Sequence, residues 1–419
     1  MNLLWLWSDR LQAMDDLSDL FSLVYRELNS VPPPPLLPTL CIFSLWLLQA
    51  SLLYDSVQAQ TPIIRRCRRC LAMISSSATI WYYLANPVRP ATRTTSLLAL
   101  PFGMFLLTMA IKLLDWGYTA RPVLYVGLDD AIKESDGKED VKGGLLARAK
   151  WTMKLFCTQR GIGWNFGPPV ASQRSMPPND SMFVARVVHA IVIRVIVGLP
   201  FTVIAAVSMF SDAGQLYGPS WIYVIYENLS NGTYTGPLVR MLAVISLVVQ
   251  QVCYSDAGML LLSLLGYTID RIVPFDARLY PPMFPNSPWR ATSIASLWSY
   301  HWHDQFRTPL RFVYLTATKA TPGPKRFKRF VAVFAAMGVS GLWLHDIPFQ
   351  LATSYKPFDW RLGFTTFFLW HAAAIAAEDV YRAITGRKVG GKLGWLWTMT
   401  ICYITGHHAR AYLLDAYKA

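Results

Sequence analysis

Apolar residues in this chain gather into long runs, and few segments alternate. A helix that crosses a bilayer needs about 20 mostly apolar residues, within a range of roughly 17–25. Residues 36–54, 97–114, 187–210, 238–265 and 331–351 qualify. Residues 362–377 and 393–408 are shorter, and 71–85 is weakened by a serine run. The pattern predicts about eight transmembrane helices and hence an all-α, multi-pass helical bundle. Lys112 lies near the end of its run, where a lysine reaches for the interface. Ahead of the first run, Leu11, Met14, Leu17, Phe21, Val24 and Leu28 recur at helical spacing. Residues 9–29 therefore read as an amphipathic interfacial helix, ended by Pro32 to Pro35. Asp9, Asp15, Asp16 and Asp19, with no basic leader region, argue against a signal peptide.

The runs divide the chain into a lumenal segment 1–35, spans over 36–265 that enclose a polar loop 115–186, a segment 266–330, and C-terminal spans over 331–419. Segment 127–144 is a charged, glycine-containing loop. Segment 266–330 is rich in Trp, Tyr, His and Pro yet too polar to span. It reads as a folded cytosolic element or a re-entrant piece lining a cavity.

Composition sharpens this picture. Of 419 residues, 53% are hydrophobic and 15% charged, where a soluble domain carries about 25% charged residues. Mean hydropathy is +0.30. Disorder and a string of soluble domains are both excluded. A net charge of +14 fits either a nucleic-acid partner or the basic rim of a membrane protein, so its placement decides. With the N-terminus lumenal, segments 55–70, 115–186, 266–330 and 378–392 are cytosolic and hold 28 of the 39 Lys and Arg, against 8 in the lumenal segments. That bias is the positive-inside rule, not a nucleic-acid footprint. It puts both termini on the lumenal side of an endoplasmic-reticulum-type membrane. Lumenal loop 211–237 has no Lys or Arg and carries glycosylation sequons at Asn228 and Asn231. A third sequon, at Asn179, falls on the cytosolic side and goes unused. The clusters at 65–69 and 325–329 suit anionic lipid headgroups, and the second also suits gathering an anionic cofactor. Six cysteines make no disulfide framework, and the lone Cys67–Cys70 pair lacks partners for zinc. No metal is expected.

Candidate chemistry concentrates in two places. One is Trp298-Ser-Tyr-His301-Trp302-His303-Asp304-Gln-Phe-Arg307, and the other is Gly338-Val-Ser-Gly-Leu-Trp-Leu-His345-Asp346. An ionisable residue inside a span is a functional candidate by default. Apolar surroundings favour the neutral imidazole of His345, the form a general base requires. Gly338, Ser340 and Gly341 leave room beside it. The bland alternative is a histidine satisfied by a backbone carbonyl between packed helices. His301 and His303 point about 200° apart on a helix, which disfavours a two-histidine metal site. His371 reads as structural, and His407 and His408 as interfacial. No GxSxG elbow, P-loop or HExxH pattern occurs.

The sequence resembles the membrane-bound O-acyltransferase superfamily, in its wax-synthase-like branch common in fungi. RGIGWNFG at 160–167, YPPMFPNSPWRATSIASLWSYHWHDQFR at 280–307 and VSGLWLHD at 339–346 carry the resemblance. Phe368 through Glu378 adds a weaker match, with Trp370-His371 where the family has Gln-Gly. The resemblance implies a transferase that moves an acyl group from acyl-CoA to an alcohol. It makes His345 the catalytic histidine and His303 the second polar residue of the site. Trp298 and Trp302 would wall the acyl tunnel, and Arg307 and Asp346 would help bind acyl-CoA. The likeness favours acetyl-CoA as co-substrate and a terpenoid or meroterpenoid acceptor. A long-chain wax-ester synthase and a multi-pass transporter with a His345–Asp346 proton relay are the alternatives. The transporter is disfavoured because matched broken helices are missing.

Overall fold

The computed structural model describes residues 35–54, 61–86, 93–119, 123, 144–158, 161, 164–166, 182–211, 237–269, 283–284, 287–302, 305–353 and 362–418. The expected interfacial helix 9–29, the loop 127–144 apart from Gly144, the three sequons and His303 lie outside the described residues. The architecture is an all-α, multi-pass membrane bundle. Its first elements are α1 (Leu36–Ser51), α2 (Pro62–Ala85), α3 (Arg93–Tyr118), α4 (Leu145–Cys157), α5 (Phe183–Ser211) and α6 (Pro237–Ile269). There follow a short α7 (Ile294–Ser296) that runs into a π-helical turn (Leu297–His301), then α8 (Arg307–Ala320) and α9 (Lys325–Gly341). A second π-helical turn (Leu342–Asp346) leads into α10 (Ile347–Thr353), and α11 (Gly363–Thr385) and α12 (Gly391–Lys418) complete the order. All eight expected spans fall on helices. Among the described residues, four helical stretches are long and apolar enough to cross a bilayer: Leu100–Tyr118, Phe183–Ile204, Val244–Thr268 and Lys325–Ala352.

Helix α2 explains why its serine run misleads a hydropathy average. Pro62 opens it, where a missing N–H costs nothing. Ser75, Ser76 and Thr79 are buried, whereas Met73, Ile74, Trp81 and Leu84 are exposed. The polar residues face inward, and Thr79 Oγ1 accepts from Trp46 Nε1 at 2.8 Å while donating to the Ser75 carbonyl at 2.7 Å. The apolar residues face outward, as in a helix solvated by lipid. Small residues also let the backbones approach: a Cβ added to Gly117 of α3 would lie 2.3 Å from Ala72 Cβ.

Lys112 does not reach for the interface. Helix α3 runs on to Tyr118, so this lysine sits well inside it and is 1% exposed. Its Nζ donates to the Thr158 carbonyl at 2.5 Å, just past the end of α4, and lies 4.9 Å from the Trp116 ring centre. Arg68 does the same for α3, donating to the Thr119 carbonyl at 2.6 Å, and Arg148 for α1, donating to the Ser51 carbonyl at 3.1 Å. The last carbonyls of a helix lack intrahelical partners and carry partial negative charge, so cations settle there.

Helices α5 and α6 pack along each other and expose Val192, Ile193, Ile196, Leu261 and Leu265. Within this apolar pair Arg194 meets Asp256 at 3.3 Å. Helices α9 and α11 are antiparallel, since Arg329 pairs with Asp379 near one end and Gly341 abuts Thr365 near the other. A large core joins both halves of the chain. Trp46, Tyr83, Leu107, Trp116, Trp151 and Trp164 pack with Phe306 and Leu344. Leu344 thereby docks the second π-helical turn onto the first four helices.

Candidate active site

The second π-helical turn carries His345. Such a turn widens the helix by one residue and is frequent at functional sites. Here it lets His345 Nδ1 reach back five residues to the Ser340 carbonyl, at 2.6 Å. A carbonyl only accepts, so Nδ1 bears the proton and Nε2 keeps its lone pair. Among the described residues no donor or carboxylate pairs with Nε2. The residue is half-buried, and its ring is flanked by Phe306, Phe364 and Phe368, with ring centres 6.0, 5.7 and 4.8 Å away.

Asp346 meets α11, the helix of Phe364 and Phe368, through the helix backbone. It is fully buried and accepts from Phe364 N at 3.1 Å, Thr365 N at 2.7 Å and Thr365 Oγ1 at 2.6 Å. These are first-turn groups of α11, whose opening N–H groups have no intrahelical partner. The carboxylate caps α11 across space, in the favourable sense of the helix dipole. Both oxygens of Asp346, expected as an acyl-CoA contact, accept from the first turn of α11. Gly341 makes the approach possible. A Cβ there would lie 2.4 Å from Thr365 Cα and 2.9 Å from its N. Gly341→Ala is therefore expected to push α11 away from the turn, lowering stability by about 1–3 kcal/mol. Thermal unfolding in detergent checks this, and an unchanged midpoint contradicts the contact.

Glu378, further along α11, repeats the device. Its Oε1 accepts from Ile294 N at 2.6 Å and Trp397 Nε1 at 3.1 Å, and its Oε2 from Ala295 N at 3.1 Å. It caps α7 together with Ser293, whose side chain accepts from Ser296 N. The first π-helical turn is thereby fixed against α11. Trp298 on that turn lies 5.1 Å from Phe368, 5.4 Å from His371 and 5.7 Å from Trp302 between ring centres. Phe368 thus contacts both His345 and Trp298. Trp302 also meets Phe284 at 5.3 Å, and the Phe284 N–H donates to Asp256 at 3.0 Å. Three buried carboxylates, Asp256, Asp346 and Glu378, therefore hold backbone N–H groups of three segments around one aromatic cluster.

The structure brings together His345, Trp298 and Trp302. Arg307 opens α8 and is exposed. His301 is partly exposed and its Nδ1 donates to the Ser287 carbonyl at 3.0 Å. His371 is fully buried, with Nδ1 donating to the Phe367 carbonyl at 2.9 Å and Nε2 4.0 Å from Cys402 Sγ. The segment around 164–166 joins the same assembly, because Arg311 of α8 donates to the Phe166 carbonyl at 3.1 Å. Sequence reading passed over Asp256, although an acid in an apolar run is the signal that marks His345. It also passed over the phenylalanines, which have no signature apart from apolarity. Among the described residues no His, Cys, Asp and Glu cluster could hold a metal ion.

The segments that form this cluster largely fall within the stretch that matches a known family. Residues 280–370 match the profile of the Membrane bound O-acyl transferase family. The chain is 24% identical over 285 residues to O-Mevalon transferase yanI of Aspergillus niger, covering 65% of this chain and 61% of that protein. It is 23% identical over 353 residues to an acetyltransferase of Arthrobotrys oligospora, covering 77% and 68%. It is 25% identical over 284 residues to acetyltransferase ple2 of Rhodocybe pseudopiperita, covering 65% and 67%.

Proposed function

We propose, taking the chain as a membrane-bound O-acyltransferase of the fungal secondary-metabolite type, that it transfers an acyl group from acyl-CoA to an alcohol. The acyl group is acetyl and the acceptor an apolar terpenoid or meroterpenoid hydroxyl. The observation that carries this is the tautomer of His345: Nδ1 is held by the Ser340 carbonyl and Nε2 is left basic within an aromatic surround. Nε2 takes the acceptor proton as the oxygen attacks the thioester carbonyl. The tetrahedral intermediate collapses with cleavage of the C–S bond, and the imidazolium returns the proton to the departing CoA thiolate. No covalent acyl-enzyme is needed. His303 supplies a hydrogen bond to the developing oxyanion, Trp298 and Trp302 wall the approach, and Arg307 meets a CoA phosphate. Two of the similar proteins bear the name acetyltransferase, which supports acetyl over a long chain.

The membrane supplies the apolar acceptor, and the basic rim faces the cytosol where CoA resides. This orientation puts both termini and the sequons Asn228 and Asn231 in the lumen of the endoplasmic reticulum. The test is product analysis. Microsomes containing the protein receive acetyl-CoA or, in parallel, palmitoyl-CoA, with apolar alcohols of both terpenoid and fatty type. An acetyl ester formed with equal release of CoA is expected. Palmitoyl esters of fatty alcohols would instead establish wax synthesis, and substrate uptake without any ester would establish a transporter.

A further inference from the structure

His345 is not centred in its helix. Counting at 1.5 Å per residue, it lies roughly 30 Å from Lys325 but only about 12 Å from Thr353. The basic ends of α9 and α11 are therefore remote from it, and a second aromatic layer lies on its other side. Phe349, Phe364 and Tyr412 touch pairwise, with ring centres 5.4, 5.6 and 5.7 Å apart. Phe349 and Tyr412 are 3% and 7% exposed. The layer is firmly set. Gln350 Nε2 donates to the Tyr412 hydroxyl at 2.9 Å, and a Cβ on Gly363 would lie 2.2 Å from the Tyr412 ring. Phe364 is the member that also contacts His345, at 5.7 Å.

We propose that Phe349, Phe364 and Tyr412 form a closed floor beneath His345 that limits the transferred acyl group to about two carbons. The proposal rests on the reading of His345 as the base of an acyl transfer. Whatever part of the two substrates meets a packed floor must be small. A polycyclic or terpenoid acceptor has no small end near its reacting hydroxyl, whereas an acetyl group ends in one methyl. Phe364 is then the specificity-determining residue, because its ring is the part of the floor that the acyl methyl meets.

The test compares Phe364→Ala and Phe364→Leu with the unaltered protein, using acetyl-, butyryl-, hexanoyl- and octanoyl-CoA and one acceptor. In a hydrophobic pocket each methylene discriminates by roughly tenfold or more. The hexanoyl-to-acetyl ratio of kcat/KM is expected to rise at least tenfold in Phe364→Ala and by less in Phe364→Leu. Phe330→Ala, at an exposed site near the basic end of α9, should leave the ratio unchanged. If Phe364→Ala fails to fold, the ratio in Phe364→Leu decides. An unchanged ratio in a folded Phe364 variant overturns the floor, as does an unaltered protein that already prefers long chains. The parent reading fails separately, if His345→Gln transfers every chain as well as the unaltered protein does.

Discussion

His345→Ala is expected to lower kcat for acyl transfer by about 10²–10⁴-fold, the usual contribution of a positioned general base, while acyl-CoA still binds. The expectation follows from the ring's tautomer. Nδ1 is tied to the Ser340 carbonyl, so the proton of the acceptor alcohol has one nitrogen to go to. His345→Gln is the informative companion. It restores most of the side-chain volume among Phe306, Phe364 and Phe368 but offers no basic nitrogen. If the histidine served packing alone, Gln would rescue the rate. If it serves as base, Gln remains as slow as Ala while its thermal midpoint recovers. Rates and acyl-CoA dissociation constants on matched detergent preparations separate the two, and a retained kcat in either variant removes His345 from the chemistry.

The second large effect is expected at the neighbouring residue and is of another kind. Asp346→Ala removes a carboxylate that accepts three hydrogen bonds from the first turn of α11. A lost N-cap costs about 0.5–2 kcal/mol, and buried donors left without acceptors cost about 1–3 kcal/mol more. A loss on the order of 3 kcal/mol is expected, seen as a midpoint several degrees lower. Activity falls as well, because α11 carries Phe364 and Phe368 against His345. Asp346→Asn keeps one acceptor oxygen and should recover part of both. The split in kinetics identifies the role. A positioning residue lowers kcat with little change in the acyl-CoA KM, whereas a direct CoA ligand would raise KM. A raised KM with an unchanged midpoint would return Asp346 to the ligand set.

The sequence made the helices and His345 legible and left their joinery hidden. Spans are read from runs of apolar residues, and all eight expected runs lie on helices. An ionisable residue inside such a run stands out, and His345 is one. What Asp346 and Glu378 do is invisible at that level. Their partners are backbone N–H groups at 364–365 and 294–295, and a backbone donor has no letter in the sequence. Lys112 failed for a related reason. Hydropathy marks where a run ends, not where the helix ends, and α3 continues to Tyr118. A window average understates α2 because it discards direction. Ser75 and Thr79 point inward, while Ile74 and Trp81 point out.

The reach of the Glu378 cap has a consequence for how the protein is made. Glu378 is separated by 84 residues from Ile294, whose N–H it receives. At a synthesis rate of about 5–20 residues per second, it leaves the ribosome roughly 4–17 s later. During that interval the turn bearing Trp298 has none of the carboxylate that will hold it, and α11 does not yet exist to receive it. The aromatic cluster around Trp298 is therefore closed only after α11 has emerged.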